Sequence, residues 1–460
     1  MNRSQTFMGS TPWLAVLFTL TLATFYGFFG YDLDRSDFVK LISFVFALFA
    51  LSYALISRYG HNFKSLLLVG LLLRLVFIVA LPNLSQDFYR FIWDGRLLWQ
   101  GVSPYLYTPD IILNQSEIVV AQGQELANGM GGLNASHYSN YPPLNQLFFA
   151  FGGLFGGQNI LASVVGMRIL IILADIGTLL FAKKILDHLH LSFKKVWWLY
   201  LNPFIILELT GNLHFEGVML FFMVASFYFL LKNKWLISAI LLGCAISLKL
   251  IPLLLLPVLF WWFVKRENPL GTFKQLVFYY GIVMATVLVT FLPFYNADLV
   301  ANFSDSIALW FQKFEFNASI YYIIRWIGYE TIGWNIIADV GKILPLIVVA
   351  GVTLISLVKQ RNSFSKLATG MLFAIFLYLL LSTTVHPWYV ATPLLLCVFT
   401  RYYFPIVWSA LIFLSYSAYG YDGFSENLWL VTAEYSIVIG VCVFELSRSK
   451  ASLNLQSPAR

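Results

Sequence analysis

The stretch PWLAVLFTLTLATFYGFF, residues 12–29, holds 18 residues and no charged side chain. A helix of this length rises about 27 Å, close to the hydrocarbon thickness of a bilayer. Apolar runs of similar length recur as far as residue 446. Only helices and closed barrels satisfy their backbone hydrogen bonds inside a bilayer, and the short alternating segments of a barrel do not occur here. The pattern therefore predicts an all-α polytopic transmembrane bundle of about 12–14 spans, with residues 1–460 forming a single domain.

Composition indicates the same class of protein. Hydrophobic residues make up 59% of the 460 residues and charged residues 11%, with a mean hydropathy of +0.77. Soluble proteins average about 25% charged residues, so a water-soluble domain is excluded. In a membrane protein the distribution of the net charge of +7 matters more than its sum, so no nucleic-acid partner is predicted. The cysteines lie in apolar runs, which predicts buried side chains rather than disulfides or a metal site: Cys244, Cys397 and Cys442.

The basic residues predict an orientation, because Lys and Arg concentrate in cytoplasmic loops. With both termini in the cytoplasm, 19 of the 29 basic residues fall in cytoplasmic segments, eight fall outside and two lie within spans. The first run lacks a small-residue cleavage site, so we interpret it as a retained span. The sequence thus predicts a protein of the cytoplasmic membrane with two long outer segments, 83–159 and 294–330. Their aromatic and apolar content predicts short helices along the outer membrane surface.

Charged side chains cluster in the first outer segment, within SQDFYRFIWDGRLLWQGVSPY (85–105). If residues 86–100 form a helix, Asp87 and Asp94 lie about 10 Å apart along its axis and cannot bind one hydroxyl group together. Arg90 precedes Asp94 by four residues, the spacing of a helical ion pair. Asp87 is then left as a candidate general base at the membrane boundary. A carboxylate at the start of a helix can instead cap it, and the spacing leaves both roles open.

Further polar clusters fall at the outer ends of apolar runs. Ionisable groups at a membrane boundary are costly and are therefore candidates for function, although a hydrated turn needs no ligand. Lys249 interrupts an apolar run near Pro252, where two half-helices can meet; it can bind phosphate or extend to the surface. Arg325 lies among the aromatic residues of WFQKFEFNASIYYIIRW (310–326). The turns in NPFIILELTGNLHFEG (202–217) and TTVHPWYVATP (383–393) carry the remaining candidates: Glu208, Asn212, His214, Glu216, His386, Trp388 and Tyr389.

Several common motifs of nucleotide and metal chemistry do not occur in the sequence. It has no G-x-G-x-x-G, no Walker loop, no H-E-x-x-H and no C-x-x-C. The first two would supply a backbone cradle for a nucleotide phosphate, and the last two would supply metal ligands or redox thiols. We therefore predict chemistry without a nucleotide, a metal or another cofactor.

Five strings, read in order, resemble a known family. DFYRFIWDGRLLWQGVSPY, followed by YPPL at 141–144, is similar to the first outer loop of integral-membrane mannosyltransferases of the GT-C type. NPFIILELTGNLHFEG, SLKLIPLLLLP (247–257) and HPWY (386–389) are similar to later motifs of that family, so the resemblance covers about residues 80–395. It implies a GT-C helical bundle and a polyprenyl-phosphate-linked sugar, mannose, as the donor.

The resemblance also implies roles for residues. An aspartate of the first outer loop is the catalytic base in this family, and Asp87 is the matching position. GPI-type members carry a D-x-D-like pair here, whereas Gln86 precedes Asp87, which puts a carboxylate-bound metal in doubt. Transfer also needs cations for the leaving phosphate, and the candidates are Lys249, Arg90 and Arg325. The candidates for contacting the sugar or a lipid or glycan acceptor are Asp94, Tyr141, Asn212, His214, Glu216, His386, Trp388 and Tyr389.

Displacement of the lipid phosphate by the acceptor would invert the anomeric carbon. The other expected partners are membrane lipids, with the site on the extracytoplasmic face. The alternative is a transporter or flippase of lipid-linked sugars, which also uses buried charges and broken helices. That alternative predicts charges near the midplane and broken helices in both halves of the chain. One broken pair and clusters at the outer boundary favour the enzyme.

Overall fold

The computed structural model describes residues 12–115, 117–265, 267–358 and 363–454. Helices form nearly all of the regular structure, and the strands of the described residues form one short hairpin. The predicted all-α bundle is therefore confirmed. Some basic residues used for the predicted orientation lie outside the described residues: Arg3, Arg266, Lys359, Arg361 and Arg460.

The helices follow the apolar runs of the sequence. The first eight are α1 (Pro12–Tyr31), α2 (Phe38–Tyr59), α3 (Phe63–Leu75), α4 (Asp87–Trp99), α5 (Pro109–Gln115), α6 (Gly123–Ala135), α7 (Pro143–Gly156) and α8 (Ile160–His188). The next are α9 (Trp197–Tyr200), α10 (Glu216–Leu231), α11 (Trp235–Ile246), α12 (Phe260–Phe263), α13 (Pro269–Phe291) and α14 (Leu299–Gln312). The last are α15 (Ile320–Thr331), α16 (Ile337–Leu357), α17 (Phe364–Leu381), α18 (Ala391–Cys397), α19 (Phe404–Leu411) and α20 (Leu428–Asn454). β1 (Tyr419–Gly420) and β2 (Gly423–Phe424) pair antiparallel.

Shorter helical segments connect these elements. Ile205–Gly211 is a π-helix. The 3-10 helices are Phe193–Val196, Ile251–Leu255, Pro257–Leu259, Leu292–Phe294, Pro387–Val390 and Ile412–Ala418. α11 ends shortly before Lys249, and a 3-10 helix containing Pro252 follows it, so the predicted break in this apolar run is present.

In the described part of the chain, seven helices are long and apolar enough to cross a membrane: α1, α2, α8, α13, α16, α17 and α20. An eighth span forms if the π-helix and α10, which meet at 111°, are counted as one. Four shorter apolar segments coincide with further predicted spans: Trp235–Ile246, Ile251–Phe263, Pro387–Cys397 and Phe404–Ala418. The protein is an integral membrane protein, and the predicted 12–14 spans are reached only when such short segments are counted as well.

The bundle has a buried centre and an apolar periphery. The apolar windows of α8 and α17 are 56% and 61% buried, whereas those of α1 and α13 are 17% and 22% buried. Exposed Leu, Val and Phe side chains on the peripheral helices suit contact with lipid chains. The predicted outer segments are also helical, since α4–α7 lie within 83–159, α14 lies within 294–330 and α15 ends one residue beyond it.

The bend between the π-helix and α10 is held by a buried arginine of α8. Arg168 is fully buried and donates hydrogen bonds from Nε and Nη2 to the carbonyl oxygens of Thr210 and Gly211, at 2.9 Å each. These carbonyls lie at the end of the π-helix, where the helical hydrogen bonds stop. Leu213 then adopts φ +60°, a left-handed conformation that turns the chain into α10. π-Helical segments often occur at functional sites, and this one contains Glu208 and is followed directly by the predicted 212–216 cluster.

A buried ion pair joins α3 to α8. Arg74 Nε lies 2.8 Å from Asp175 Oδ2, and the two side chains are 0% and 5% exposed. Arg74 also donates to the carbonyl oxygens of Gly70 and Tyr200, at 3.0 and 2.9 Å. The guanidinium is thus bonded through all three of its nitrogens, as a charge in this environment requires.

We expect Arg74→Met to destabilise the fold by about 3–5 kcal/mol, because it leaves the Asp175 charge buried without its partner. Lys183→Met is the matched control on α8. Lys183 pairs with Asp187 at 2.6 Å, but these side chains are 31% and 49% exposed. Removing such a pair costs about 0–1 kcal/mol. Chemical unfolding of the detergent-solubilised variants measures both effects, and equal losses would contradict the structural role of the buried pair.

Candidate active site

A cavity of about 550 Å³ opens where the polar clusters of the sequence converge. Its walls come from the start of α4, the segment before α7, the break after α11, the chain after α17 and the β-hairpin. In the predicted orientation, all of these segments lie on the outer side. Six of the predicted site residues line it: Asp87, Tyr141, Lys249, His386, Trp388 and Tyr389.

Asp87 is the first residue of α4 and points a half-buried carboxylate into the cavity. Gln86 occupies the capping position before it and makes no capping hydrogen bond through its side chain. Within the described part of the chain, the Asp87 carboxylate accepts no backbone hydrogen bond, so it does not act as the helix cap. The geometry therefore does not support the role of helix cap, and the role of general base stays a prediction.

The surroundings of Asp87 suit a proton acceptor. Burial raises the pKa of Asp87 to about 6. The charge of Lys249 and a hydrogen bond with Tyr141 work against that rise in the pKa, while the charge of Glu216 adds to it. A carboxyl group with a pKa near 6 is deprotonated at neutral pH, yet it is a stronger base than an ordinary aspartate.

Lys249 supplies one positive charge at the cavity wall. Its Nζ lies 3.0 Å from Glu216 Oε1 and 5.0 Å from the centre of the Tyr141 ring. The side chain is 17% exposed, whereas Glu216 is fully buried. The ammonium group therefore lies between a buried carboxylate and the open cavity, where it can meet an incoming anion.

Arg35 supplies a second positive charge that the sequence analysis did not select. It lies in the turn between α1 and α2, lines the cavity and donates from Nη1 to the carbonyl oxygen of Leu84 at 3.2 Å. Its guanidinium carbon lies 4.0 Å from the centre of the Tyr419 ring. Tyr419 is more than 380 positions away in the sequence, so no local pattern could have identified this site.

Two predicted phosphate-binding residues do not line the cavity. Arg90 Nε bonds Asp94 Oδ1 at 2.8 Å, which is the ion pair predicted from their spacing. Its Nη1 bonds the carbonyl oxygens of Asn134 and His137 at 2.7 and 3.0 Å. Arg325 pairs with Glu315. Both arginines are engaged by these partners, and neither lines the cavity.

Asp94 is likewise engaged by neighbouring side chains. It is fully buried, and its Oδ2 accepts hydrogen bonds from Ser139 Oγ at 2.6 Å and Gln146 Nε2 at 3.0 Å. Together with the Arg90 pair, these bonds fasten α4 to the segment before α7 and to α7 itself. Asp94 therefore fixes the helix that carries Asp87.

The predicted 212–216 turn lies behind the cavity wall. Asn212 Oδ1 accepts the backbone N–H of Leu84 at 3.0 Å, which anchors the chain just before α4. The His214 ring stacks on Trp388 with a centroid distance of 3.7 Å. Trp388 also stacks on His386, at 4.5 Å and an interplanar angle of 7°. The turn thus supports the aromatic wall.

His386 is neutral in this setting. Burial, with a smaller contribution from the charge of Lys249, lowers the pKa of His386 to about 3. It can therefore hydrogen-bond a hydroxyl group but supplies no positive charge for a phosphate. Among the described residues, no three His, Cys, Asp or Glu side chains converge as metal ligands. The absence of a metal requirement stays a prediction.

Residues 35–265 match the MptA_B family, described as the alpha-(1->6)-mannopyranosyltransferase N-terminal domain. This chain belongs to that family. The matched segment includes the described cavity residues Arg35, Asp87 and Lys249. The resemblance to membrane mannosyltransferases predicted from the sequence is thereby confirmed.

Two curated relatives are similar along most of the chain. Alpha-(1->6)-mannopyranosyltransferase A of Mycobacterium tuberculosis is 22% identical over 334 residues, which cover 69% of this chain and 61% of that protein. The protein of the same name from Corynebacterium glutamicum is 20% identical over 338 residues, covering 68% of this chain and 66% of its own. The match thus spans slightly less than two thirds of each relative's length.

Proposed function

We propose that this protein transfers a mannosyl group from a polyprenyl-phosphate carrier to a hydroxyl group of a lipid or glycan acceptor. The observation that carries the proposal is the cavity itself, in which a half-buried Asp87 with a raised pKa lies near the cations Lys249 and Arg35. Family membership and the names of the two relatives support mannose as the sugar. We further propose that the protein resides in the cytoplasmic membrane with this cavity on the outer face, as the distribution of basic residues predicts.

The proposed reaction is a single displacement. Asp87 accepts the proton of the acceptor hydroxyl group while that oxygen attacks the anomeric carbon. The bond between this carbon and the phosphate oxygen breaks, and the phosphate leaves with the electron pair. Lys249 and Arg35 stabilise the charge that develops on the phosphate. The step inverts the anomeric carbon, so a product with the alpha linkage in the relatives' names requires a donor with the opposite configuration.

The lining of the cavity suits a lipid-linked donor. Four apolar lining residues lie within the five positions after Lys249: Leu250, Ile251, Leu253 and Leu254. A phosphate at Lys249 would therefore lie at the end of an apolar wall along which a polyprenyl chain can extend. A nucleotide donor would need a backbone cradle for its pyrophosphate, and the sequence has neither the G-x-G-x-x-G pattern nor a Walker loop.

A second cavity suits the acceptor. It measures about 400 Å³ and shares Arg35, Ser85 and Gln86 with the first one. Its remaining lining includes the polar side chains of Asp34, Ser36 and Asn83. We propose that a hydroxyl-rich acceptor approaches through this polar cavity and meets the donor beside Asp87.

The donor assay tests the proposal. Purified protein is offered either a short-chain polyprenyl-phosphate mannose or a nucleotide-linked mannose, each with an alkyl mannoside acceptor and EDTA. We expect transfer from the lipid donor alone, undiminished by EDTA, because the charges that the reaction needs are provided by Lys249 and Arg35. Transfer only from the nucleotide donor, or complete loss of transfer with EDTA, would refute the proposed donor and mechanism.

A further inference from the structure

We infer that Glu216 is a positioning residue that holds the ammonium group of Lys249 and shares it with Asp87, so that one cation serves both the base and the donor phosphate. The inference rests on the proposed function, since it assigns Lys249 to the donor and Asp87 to the acceptor. Glu216 is buried and does not line the cavity, so its role in the reaction is exerted through Lys249.

The environment of Glu216 is unusual for a carboxylate. It is the first residue of α10, directly after the bend of 111°, and it is fully buried. Neither of its carboxylate oxygens accepts a hydrogen bond from the described residues. The ion pair with Lys249 at 3.0 Å is its one salt bridge within the described part of the chain. Such an arrangement is not explained by stability alone, because the desolvation penalty of a buried ion pair is about as large as the attraction between its charges.

The geometry connects this ion pair to the chemistry. Lys249 lines the cavity, and its charge acts on Asp87 as well as on Glu216. Two carboxylates therefore compete for one ammonium group. While Lys249 is paired with Glu216, it interacts less strongly with Asp87. Asp87 is therefore a stronger base than it would be if it alone were paired with Lys249.

Other groups near this trio do not replace Glu216. A second cation of the cavity lining, Arg35, stacks on Tyr419 and bonds the Leu84 carbonyl group. His386 is neutral. The remaining titratable groups that interact with Asp87 or Glu216 are phenols or a second buried glutamate, and they bring no further cation: Tyr141, Tyr389, Tyr419 and Glu208.

Glu216→Gln tests the inference, because glutamine keeps the size of the side chain and removes its charge. Lys249 is then free to pair with Asp87 and with the donor phosphate. We expect the acid limb of the pH–rate profile, near pH 6 in the wild type, to move down by about one pH unit. Because the base is weaker, we expect kcat on the neutral plateau to fall about three- to tenfold. The KM for polyprenyl-phosphate mannose should fall at the same time, since Lys249 is no longer neutralised by Glu216.

Glu208→Gln is the matched control. Glu208 is also fully buried, and its Oε1 accepts a hydrogen bond from Tyr416 at 2.8 Å, but it makes no salt bridge with Lys249. A merely structural loss lowers the yield of folded protein or kcat in either variant without moving the acid limb. The inference therefore requires that Glu216→Gln shifts the limb and that Glu208→Gln does not. In the conservative variant Glu216→Asp, the acid limb should lie at a pH between those of the wild type and Glu216→Gln.

The outcomes separate this inference from the proposed function. Absence of transfer by the wild type from polyprenyl-phosphate mannose would refute the proposed function in the same assay. Transfer by the wild type, together with an unmoved acid limb and an unchanged donor KM in Glu216→Gln, would overturn the role of Glu216 alone. A lower kcat with a higher donor KM would also overturn it, because it would mean that the carboxylate only keeps Lys249 in place.

Discussion

Replacing Asp87 by asparagine is expected to lower turnover by about two to four orders of magnitude, the usual range for the loss of a general base. Asparagine keeps the size and hydrogen bonding of the side chain but cannot accept the proton of the acceptor hydroxyl group. Since α4 begins at this residue without using its carboxylate as a cap, the variant should fold normally. Initial rates at neutral pH with polyprenyl-phosphate mannose, compared at equal amounts of folded protein, measure the effect.

Asp94→Asn is the informative comparison, because both aspartates lie on α4 seven residues apart. Asp94 is fully buried and neutralises Arg90, so its replacement leaves that guanidinium buried without its charged partner. We expect a loss of about 3–5 kcal/mol in stability, with activity per folded molecule reduced far less than in Asp87→Asn. Normal transfer by Asp87→Asn with an inactive, well-folded Asp94→Asn would mean that the roles are reversed.

The positions of the long spans along the chain could be predicted from the sequence because they depend on local composition. An apolar run such as 12–29 is committed to a helix by the bilayer, whatever its neighbours are. The helix over 86–100 and its Arg90–Asp94 pair were likewise predictable from a spacing of four residues. The break near Lys249 followed from Pro252, which cannot continue a helix.

A turn within 202–217 was predicted, but the interaction that holds the bend before α10 was not, because its cause is remote in sequence. The π-helix ends where Arg168 of α8 bonds the carbonyl groups of Thr210 and Gly211, more than 40 residues further along the chain. The sequence showed only an arginine within an apolar run. Its partners are backbone atoms, which carry no signature in the sequence.

Some residues of the candidate site could likewise be predicted from the sequence, and others could not. Asp87 and Lys249 stood out because each is a charge at the edge of an apolar run, and both line the cavity. Arg90 and Arg325 were equally good candidates for phosphate binding from the sequence, yet each is paired with a nearby acidic side chain. Arg35 looked like one charge among several in a short turn, between Asp34 and Asp37. Its position at the cavity depends on how α1, α4 and the hairpin pack together, which a sequence alone does not specify.

This difference leads to a prediction about the cation that binds the donor phosphate with Lys249. We expect Arg35→Met to raise the KM for polyprenyl-phosphate mannose about 10- to 100-fold. A hydrogen bond from a charged donor contributes about 1.5–3 kcal/mol, and each 1.4 kcal/mol corresponds to about tenfold in affinity. Methionine keeps much of the length of the side chain but removes the guanidinium group, which lies 4.0 Å from the centre of the Tyr419 ring. Steady-state rates over a range of donor concentrations, with the acceptor saturating, give the KM directly.

Arg325→Met is the control, since it removes the same type of side chain from the second outer segment. Arg325 is 19% exposed and pairs with Glu315, so its loss should affect stability slightly and leave the donor KM near that of the wild type. Arg35→Lys refines the test, because lysine keeps the charge but not the planar donors. Partial recovery of the donor KM in Arg35→Lys would show that the phosphate responds chiefly to charge at this wall. A raised donor KM in Arg325→Met and a normal one in Arg35→Met would instead move the phosphate site to the second outer segment, as one of the sequence-based candidates had it.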